Sequence, residues 1–190
     1  YLAHHYKRRL RPRPAYAFGF IDRWARMARV APRLAGRIAN TRLAKVAVGI
    51  ARERQVPPFA PVTFQHWARE RGGSRNGHRR VLVWPDTFTN YFEPEVGAAT
   101  VEALEAAGYD VTVPQGRFCC GRPLYDYGFL RGARRYLERT LDSLRDEIRA
   151  GTPIVGIEPS CVAVFRDELA KMLPRDEDAQ RLKRQTFHLA

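Results

Sequence analysis

Three cysteines in two short loops carry most of the chemistry this chain can offer. They read Phe118-Cys119-Cys120-Gly121-Arg122-Pro123 and Glu158-Pro159-Ser160-Cys161. Thiolates are ligands for soft metals and clusters, and nucleophiles in disulfide exchange. Cys161 opens a helical pattern, and a helix N-terminus lowers thiol pKa, so this thiol is expected to favour thiolate. Cys119 and Cys120 are adjacent, and neighbouring side chains on extended backbone point to opposite sides. Both serve one site only if the chain turns there, which Gly121 permits. A thioredoxin-type pair needs two intervening residues, which are absent. A tetrahedral zinc site needs four ligands, and His188 is the available fourth beside the three thiols. The bland alternative is that free cysteines fill space as small buried apolar residues.

Both loops follow segments that read as strands, and the surrounding pattern repeats. Val81-Leu82-Val83-Trp84, Tyr109 to Val113 and Ile154-Val155-Gly156-Ile157 are short apolar strands. Helical spacing follows each one, over 94–107, up to Ala150 and over 162–173. Residues 85–92 and 114–128 read as loops. Strand-helix alternation predicts an α/β fold, a parallel βαβαβα sheet unit over residues 81–173 with right-handed crossovers. Strands apolar throughout fit a sheet covered on both faces. All three strand-to-helix loops then emerge at one edge, where open α/β sheets bind ligands. The first offers Asp86, Thr87, Thr89 and Asn90, the second Cys119, Cys120, Arg122 and Tyr125, the third Glu158, Ser160 and Cys161. Asp86 and Glu158 read as loop hydrogen-bonding residues rather than catalytic acids.

The 190 residues divide sharply in charge. Residues 1–80 hold 19 Lys/Arg against three acids, and residues 81–190 hold 14 against 17. The basic part places apolar residues at helical spacing over 17–31 and 33–51, with Pro12 and Pro14 ending any helix that enters from upstream and Pro32 between the two. Residues 55–64 read as extended, His66 to Arg71 as a helical turn, and Gly72-Gly73-Ser74-Arg75-Asn76-Gly77 as a loop at the domain boundary. This divides the chain into a basic helical extension, 1–80, and a second domain, 81–190. The extension fits three roles: a linker packed on a neighbouring domain, a helix lying on an anionic membrane, or a nucleic-acid stripe. No nucleic-acid module is present, and nucleic acid is the least favoured partner. No apolar run approaches the roughly 20 residues of a membrane-spanning helix. The chain starts without Met and reads as part of something longer. Three thiols cannot all pair internally, so a reduced, cytoplasmic setting is expected, with the extension lying peripherally at the inner membrane face in the second reading. There is no dinucleotide fingerprint, P-loop or Gly-x-Ser-x-Gly.

At the cysteine loops the sequence resembles a known family. Phe-Cys-Cys-Gly-Arg-Pro-Leu-Tyr-Asp-Tyr-Gly at 118–128 and Pro-Ile-Val-Gly-Ile-Glu-Pro-Ser-Cys at 153–161 are similar to the motifs of the cysteine-rich (CCG) domain. That domain occurs in heterodisulfide reductases, glycolate oxidase iron–sulfur proteins, anaerobic glycerol-3-phosphate dehydrogenases and lactate-utilisation proteins. Trp84-Pro85-Asp86-Thr87-Phe88-Thr89-Asn90-Tyr91 and His4-His5-Tyr6-Lys7-Arg8-Arg9-Leu10 resemble the fused type, in which flavin-binding and ferredoxin-like domains come first. The resemblance implies a truncated first half, with FAD and ferredoxin-like clusters upstream of Tyr1 and a second Cys-Cys-Gly half beyond Ala190. It implies Cys119, Cys120 and Cys161 as ligands of an iron–sulfur cluster, of the 4Fe–4S class, and a site shared with the second half, a simpler cluster and zinc are all open. Two positions depart from the family pattern: Pro85-Asp86-Thr87 stands where the first loop carries a cysteine, and Val164 stands where Cys-x-x-Cys would end.

The sequence itself points to a thiol site at the sheet edge, and the resemblance implies that it belongs to an electron-transfer module of a flavin- and iron–sulfur-dependent dehydrogenase for a 2-hydroxy acid such as lactate or glycolate. Its partners would be the flavin and ferredoxin-like domains, the second half, and a membrane or quinone-linked acceptor. These residues alone would not be catalytically sufficient. The other class is a non-catalytic interaction or scaffold segment whose cysteines are structural or bind zinc.

Overall fold

The structure is a computed structural model that describes residues 1–72 and 79–189. The expected boundary loop falls mostly on 73–77, outside the described residues. Strands β1 (Arg79–Trp84), β2 (Tyr109–Thr112), β3 (Ile154–Gly156) and β4 (Thr186–His188) form one sheet in the order β2-β1-β3-β4. Every pairing is parallel, so the α/β expectation holds, with one more strand than the sequence showed. β4 extends the sheet past β3, pairing Ile154 with Thr186 and Gly156 with His188.

Alternation along β1 explains the layers. Val81 and Val83 join Phe64, Val101, Val111 and Val155 on one face of the sheet. Leu82 and Trp84 face the other way, into Leu137, Leu141, Ile154, Phe165 and Leu182. Successive strand residues point to opposite faces, and here both faces are covered. Helices α6 (Phe64–Arg71) and α8 (Pro94–Ala106) supply the first cover. The second comes from α10 (Leu130–Ser143), α11 (Arg145–Ala150), α12 (Pro159–Ala163), α13 (Leu169–Met172) and α14 (Glu177–Gln185), with a π-helical turn, Val164–Glu168, between α12 and α13.

Several segments read as loops or single helices are more finely divided. Residues 85–92 contain α7 (Thr87–Tyr91), because Asp86 caps it: its Oδ1 accepts from the Phe88 and Thr89 amides at 2.9 and 3.0 Å. Residues 122–126 form α9 (Arg122–Asp126), with Pro123 near its start, where a missing N–H costs nothing. Pro12 and Pro14 begin a helix instead of ending one: Pro12 is the N-cap of α2 (Arg13–Gly19). The next stretch breaks at Phe20 before α3 (Ile21–Ala28), and the following one at Asn40, between α4 (Pro32–Ala39) and α5 (Arg42–Val48). Asn40 bonds Gly36 O and both backbone groups of Val56, which ends α4 and ties the extended 55–57 segment to it. A short α1 (Leu2–His5) precedes them.

The N-terminal helices are seated on the sheet-bearing part, not only on something outside the chain. Arg11 donates to Tyr127 O and Gly128 O at 2.9 Å and stacks over the Phe129 ring at 4.1 Å. Asp22, 2% exposed, accepts from the Tyr136 hydroxyl at 2.7 Å and from Arg26 at 3.1 Å.

Candidate functional site

The strand order creates a natural binding edge. The chain goes from β1 outward to β2, then crosses back to β3 on the other side of β1. The loops after β1 and β3 therefore diverge from neighbouring strands, which is the topological switch point where open α/β sheets bind ligands. Asp86 follows β1, Cys120 follows β2 and Cys161 follows β3.

Two thiols meet there. Cys161 Sγ hydrogen-bonds Cys120 Sγ at 2.9 Å, and all three cysteines are free and buried. Gly121 makes the turn that the adjacent cysteines require. It adopts φ +79°, and a Cβ there would lie 3.2 Å from Ala133 O. Gly156, the last residue of β3, acts by its size instead, since a Cβ there would sit 2.6 Å from Val162 and hold α12 off the strand. The π-helical turn that follows Cys161 starts at Val164, which is buried in the core. Helical bulges of this kind are frequent at functional sites.

Cys119 lies in different surroundings from the pair. Its Sγ accepts from the Gly121 amide at 3.5 Å, and it packs with Leu124, Ala133 and Tyr136. The neighbouring Cys120 thiol and burial hold its pKa well above the ordinary range. Cys120 is drawn down by Cys119 but pushed well up by Cys161 and by burial. For Cys161 the hydrogen bond with Cys120 lowers the pKa, yet burial and the charges of Asp86 and Cys119 outweigh it, and the thiol ends raised. The thiolate expected from its helix position is thus overturned by desolvation and like charge.

Beside the pair sit two buried polar atoms that have no partner among the described residues. Asp86 is 1% exposed, and its Oδ2 has no partner in bonding geometry, although the Thr89 side chain is close enough to lower the carboxyl pKa. Burial raises its carboxyl pKa, its contacts to Thr89 and Phe88 lower it, and Glu158 raises it again; the balance is upward. The Trp84 indole Nε1–H is also buried with no partner in bonding geometry, although it is close enough to lower the Cys161 pKa. Leaving such groups unmatched costs on the order of 1–3 kcal/mol each, so each calls for an explanation. These two atoms are the features that sequence reasoning missed. Asp86 itself was visible, at the position where the resembling family carries a cysteine.

The remaining candidates have structural duties. Glu158 caps α12, accepting from Ser160 N and Oγ at 3.1 and 2.8 Å. Asn90 pairs with Gln65 in the buried interior, joining α6 to α7. Arg122 pairs with Asp126 and Glu168, fixing α9 to the π-helical turn. Tyr125 packs beside the Cys119 cluster, and Thr87 and Thr89 are buried in α7. His188 is exposed at the end of β4. Among the described residues no three His, Cys, Asp or Glu side chains converge closely enough to hold a metal ion. Cys120 and Cys161 fit as two ligands of a cluster, with Asp86 Oδ2 a free oxygen near them. Four-cysteine ligation, usual for iron–sulfur clusters, requires further donors.

The family model described as a cysteine-rich domain, CCG, matches residues 86–166, which bears out the resemblance in the motifs. Lactate utilization protein A of Bacillus subtilis (strain 168) is 32% identical over 88 residues, 46% of this chain and 35% of that protein. Lactate utilization protein A of Bacillus licheniformis is 30% identical over 115 residues, 58% of this chain and 46% of that protein. The chain spans less than half the length of these relatives. No solved structure matches it.

Proposed function

We propose that these residues are an electron-transfer module of an iron–sulfur oxidoreductase that serves the oxidation of lactate or a similar 2-hydroxy acid. The observation that carries this reading is the buried Cys120–Cys161 pair at the switch point, with the unmatched Asp86 oxygen beside it. Cysteine-rich domain similarity and relatives named for lactate utilization support the chemistry and the substrate class. Cys120 and Cys161 would hold the cluster, with Cys119 coupled to it through Cys120, and Asp86 would supply an oxygen donor. An iron–sulfur group held there supplies one-electron transfer. The remaining ligands would come from a second half of the domain. A flavin and ferredoxin-like clusters elsewhere in the full protein would deliver the electrons, as the resemblance to the fused type implies.

This chain's residues then have defined work. Trp84, Phe118 and Phe165 form an apolar wall around the thiols, with Trp84 centred 5.3 Å from Phe118 and 4.8 Å from Phe165. That wall excludes water from the pair. Gly121 and Gly156 let the backbone bring both thiols to one edge.

The test uses the full-length protein purified without oxygen. Iron and sulfide content, visible absorption and electron paramagnetic resonance are measured for wild type, Cys120→Ser and Cys161→Ser, alongside flavin reduction by lactate and turnover with an acceptor. Serine leaves a protonated, hard oxygen where soft sulfur is required. The expected result is loss of one cluster signal and of acceptor turnover, with flavin reduction retained. Unchanged iron content and wild-type turnover in both variants would instead assign the cysteines to packing. Zinc in place of iron would favour the scaffold reading.

A further inference from the structure

The N-terminal helices expose a face that the electron-transfer reading does not use. On α3, α4 and α5 the outward apolar side chains are Trp24, Met27, Leu34, Ile38, Leu43 and Val46, with Val30 in the connection. Met27 is 64% exposed, and Leu43 is 85% exposed. Arg29, Arg33, Arg37 and Arg42 are exposed along the same segment, and each stands one position ahead of an outward apolar residue. Through residue 50 the only acid is Asp22, which is buried and paired with Arg26. The opposite side is already satisfied: Ala15, Ala25 and Ala28 are buried, and Asp22 and Arg11 anchor the segment. The outward face thus combines apolar groups with unopposed positive charge.

We propose that this face docks on an anionic lipid bilayer, with Trp24, Met27, Leu34 and Ile38 entering the acyl boundary and the arginines at the headgroups. Interfacial helices have this composition, an apolar face edged by Arg or Lys on a sequence that is polar overall. Arginine suits such a position because its stem packs on apolar neighbours while its guanidinium stays in water and on phosphate. A covering protein domain would have to bury those guanidiniums beside the apolar groups or match each with an acid. No described helix is long and apolar enough to cross a membrane, so the contact is with the surface. The apolar area continues past Phe18 and Trp24 into a groove of about 1260 Å³ that reaches α7 and α9. Arg122 and Pro123, directly after Cys120-Gly121, line its far wall.

Full-length protein is sedimented with vesicles of phosphatidylcholine alone and of phosphatidylcholine mixed with phosphatidylserine, at low and high salt. Two variants accompany it, Arg33→Glu with Arg37→Glu, and Leu34→Glu with Ile38→Glu. All four positions are exposed, so the fold is expected to survive, and circular dichroism checks it. The expected result is salt-sensitive binding to the anionic vesicles only. The arginine variant should weaken it by about thirtyfold or more, since each basic residue near the surface contributes a factor of several. The leucine and isoleucine variant should weaken it comparably. No binding to anionic vesicles, or equal binding to both kinds, overturns the proposal. So does resistance of Trp24, Met27 and Leu43 to hydroxyl-radical labelling of their side chains in vesicle-free full-length protein, which would mean another part of that protein covers the face.

Discussion

The apolar side chains that residues 1–62 bury are all alanines, Ala15, Ala25, Ala28 and Ala60. Residues 81–182 bury Leu82, Trp84, Leu137, Ile154, Phe165 and Leu182. Both regions contain large apolar residues at helical or strand spacing, so periodicity alone does not tell them apart. The difference lies in what each pattern has to pack against. The sheet offers two broad faces, and helices on each side close over them. The early helices meet that body through alanines, the buried Asp22, Arg11, and the rings of Tyr16 and Phe20 on Phe129. Most of their other large side chains are left on the outside, beside the arginines. An amphipathic pattern thus predicts a buried face only when a second layer exists to cover it.

The largest test of this contrast is a matched pair of truncations. Phe165→Ala removes a side chain that is 1% exposed and packed on Trp84. It should cost about 3–5 kcal/mol in urea unfolding, by lost transfer energy plus a residual cavity. Leu34→Ala removes a side chain that is 57% exposed. It should stay within about 0.5 kcal/mol, as surface changes do. A large cost at Leu34 would mean the outer face is covered in solution, and the contrast between the regions would fail.

A second test probes the joint between them. Tyr136 is 5% exposed, and its hydroxyl donates to Asp22 and accepts from Arg23 Nε at 3.3 Å. Tyr136→Phe leaves Asp22 buried with Arg26 as its remaining side-chain partner, a loss of about 1–3 kcal/mol. Because the loss falls on the joint, trypsin should cut faster at Arg29, Arg33 and Arg37 while the sheet-bearing part resists. Uniform loss of resistance across the chain would show that the two regions unfold together.

Gly121→Ala acts at the site itself. Its φ of +79° costs a residue with a Cβ about 1–2 kcal/mol, and the added carbon meets the Ala133 backbone. The turn should relax and separate Cys120 from Cys161. In the full-length protein the cluster signal should weaken more than the thermal transition moves. An unchanged signal would mean the thiol pair does not depend on that turn.

How much of this was legible follows from where the information lies. β1 and β3 were readable because runs such as Val81-Leu82-Val83-Trp84 are apolar on both faces. β4 was not, since Thr186–His188 is three residues long and buries only Thr186. α14 was missed because its nine residues bury only Ala179 and Leu182; Asp176, which caps it, was the available signal. α7 likewise hid behind a single capping residue, Asp86. The meeting of Cys120 with Cys161 was legible, because strand order and loop position suffice to place both at one edge. The free Asp86 oxygen and Trp84 N–H were not, since whether a buried group finds a partner depends on packing in three dimensions. The same holds for the Cys161 pKa. Its place on a helix was readable, but the depth of its burial was not.

The smallest expected effect concerns how α14 is held. Asp178 receives Arg149 of α11 at 3.0 Å and Arg181 of its own helix at 3.0 Å. These partners, Arg149 first, draw its carboxyl pKa below the ordinary value. A depressed folded pKa means that folding favours the ionised form. The contribution is therefore complete above the unfolded value of about 3.9 and is lost as pH falls through the lower folded value. Asp178 is itself 12% exposed, but Arg149 is 57% exposed, so water and salt screen the pair. Asp178→Asn should lower Tm at neutral pH by about 1–3 °C and make no difference in strong acid, where the wild-type carboxylate is protonated as well. Added salt should shrink the neutral-pH difference. A difference that persisted in acid and in high salt would mean Asp178 acts through packing. α14 would then belong, energetically, with the buried layer of the sheet and not with the solvated arginines that mark the other end of the chain.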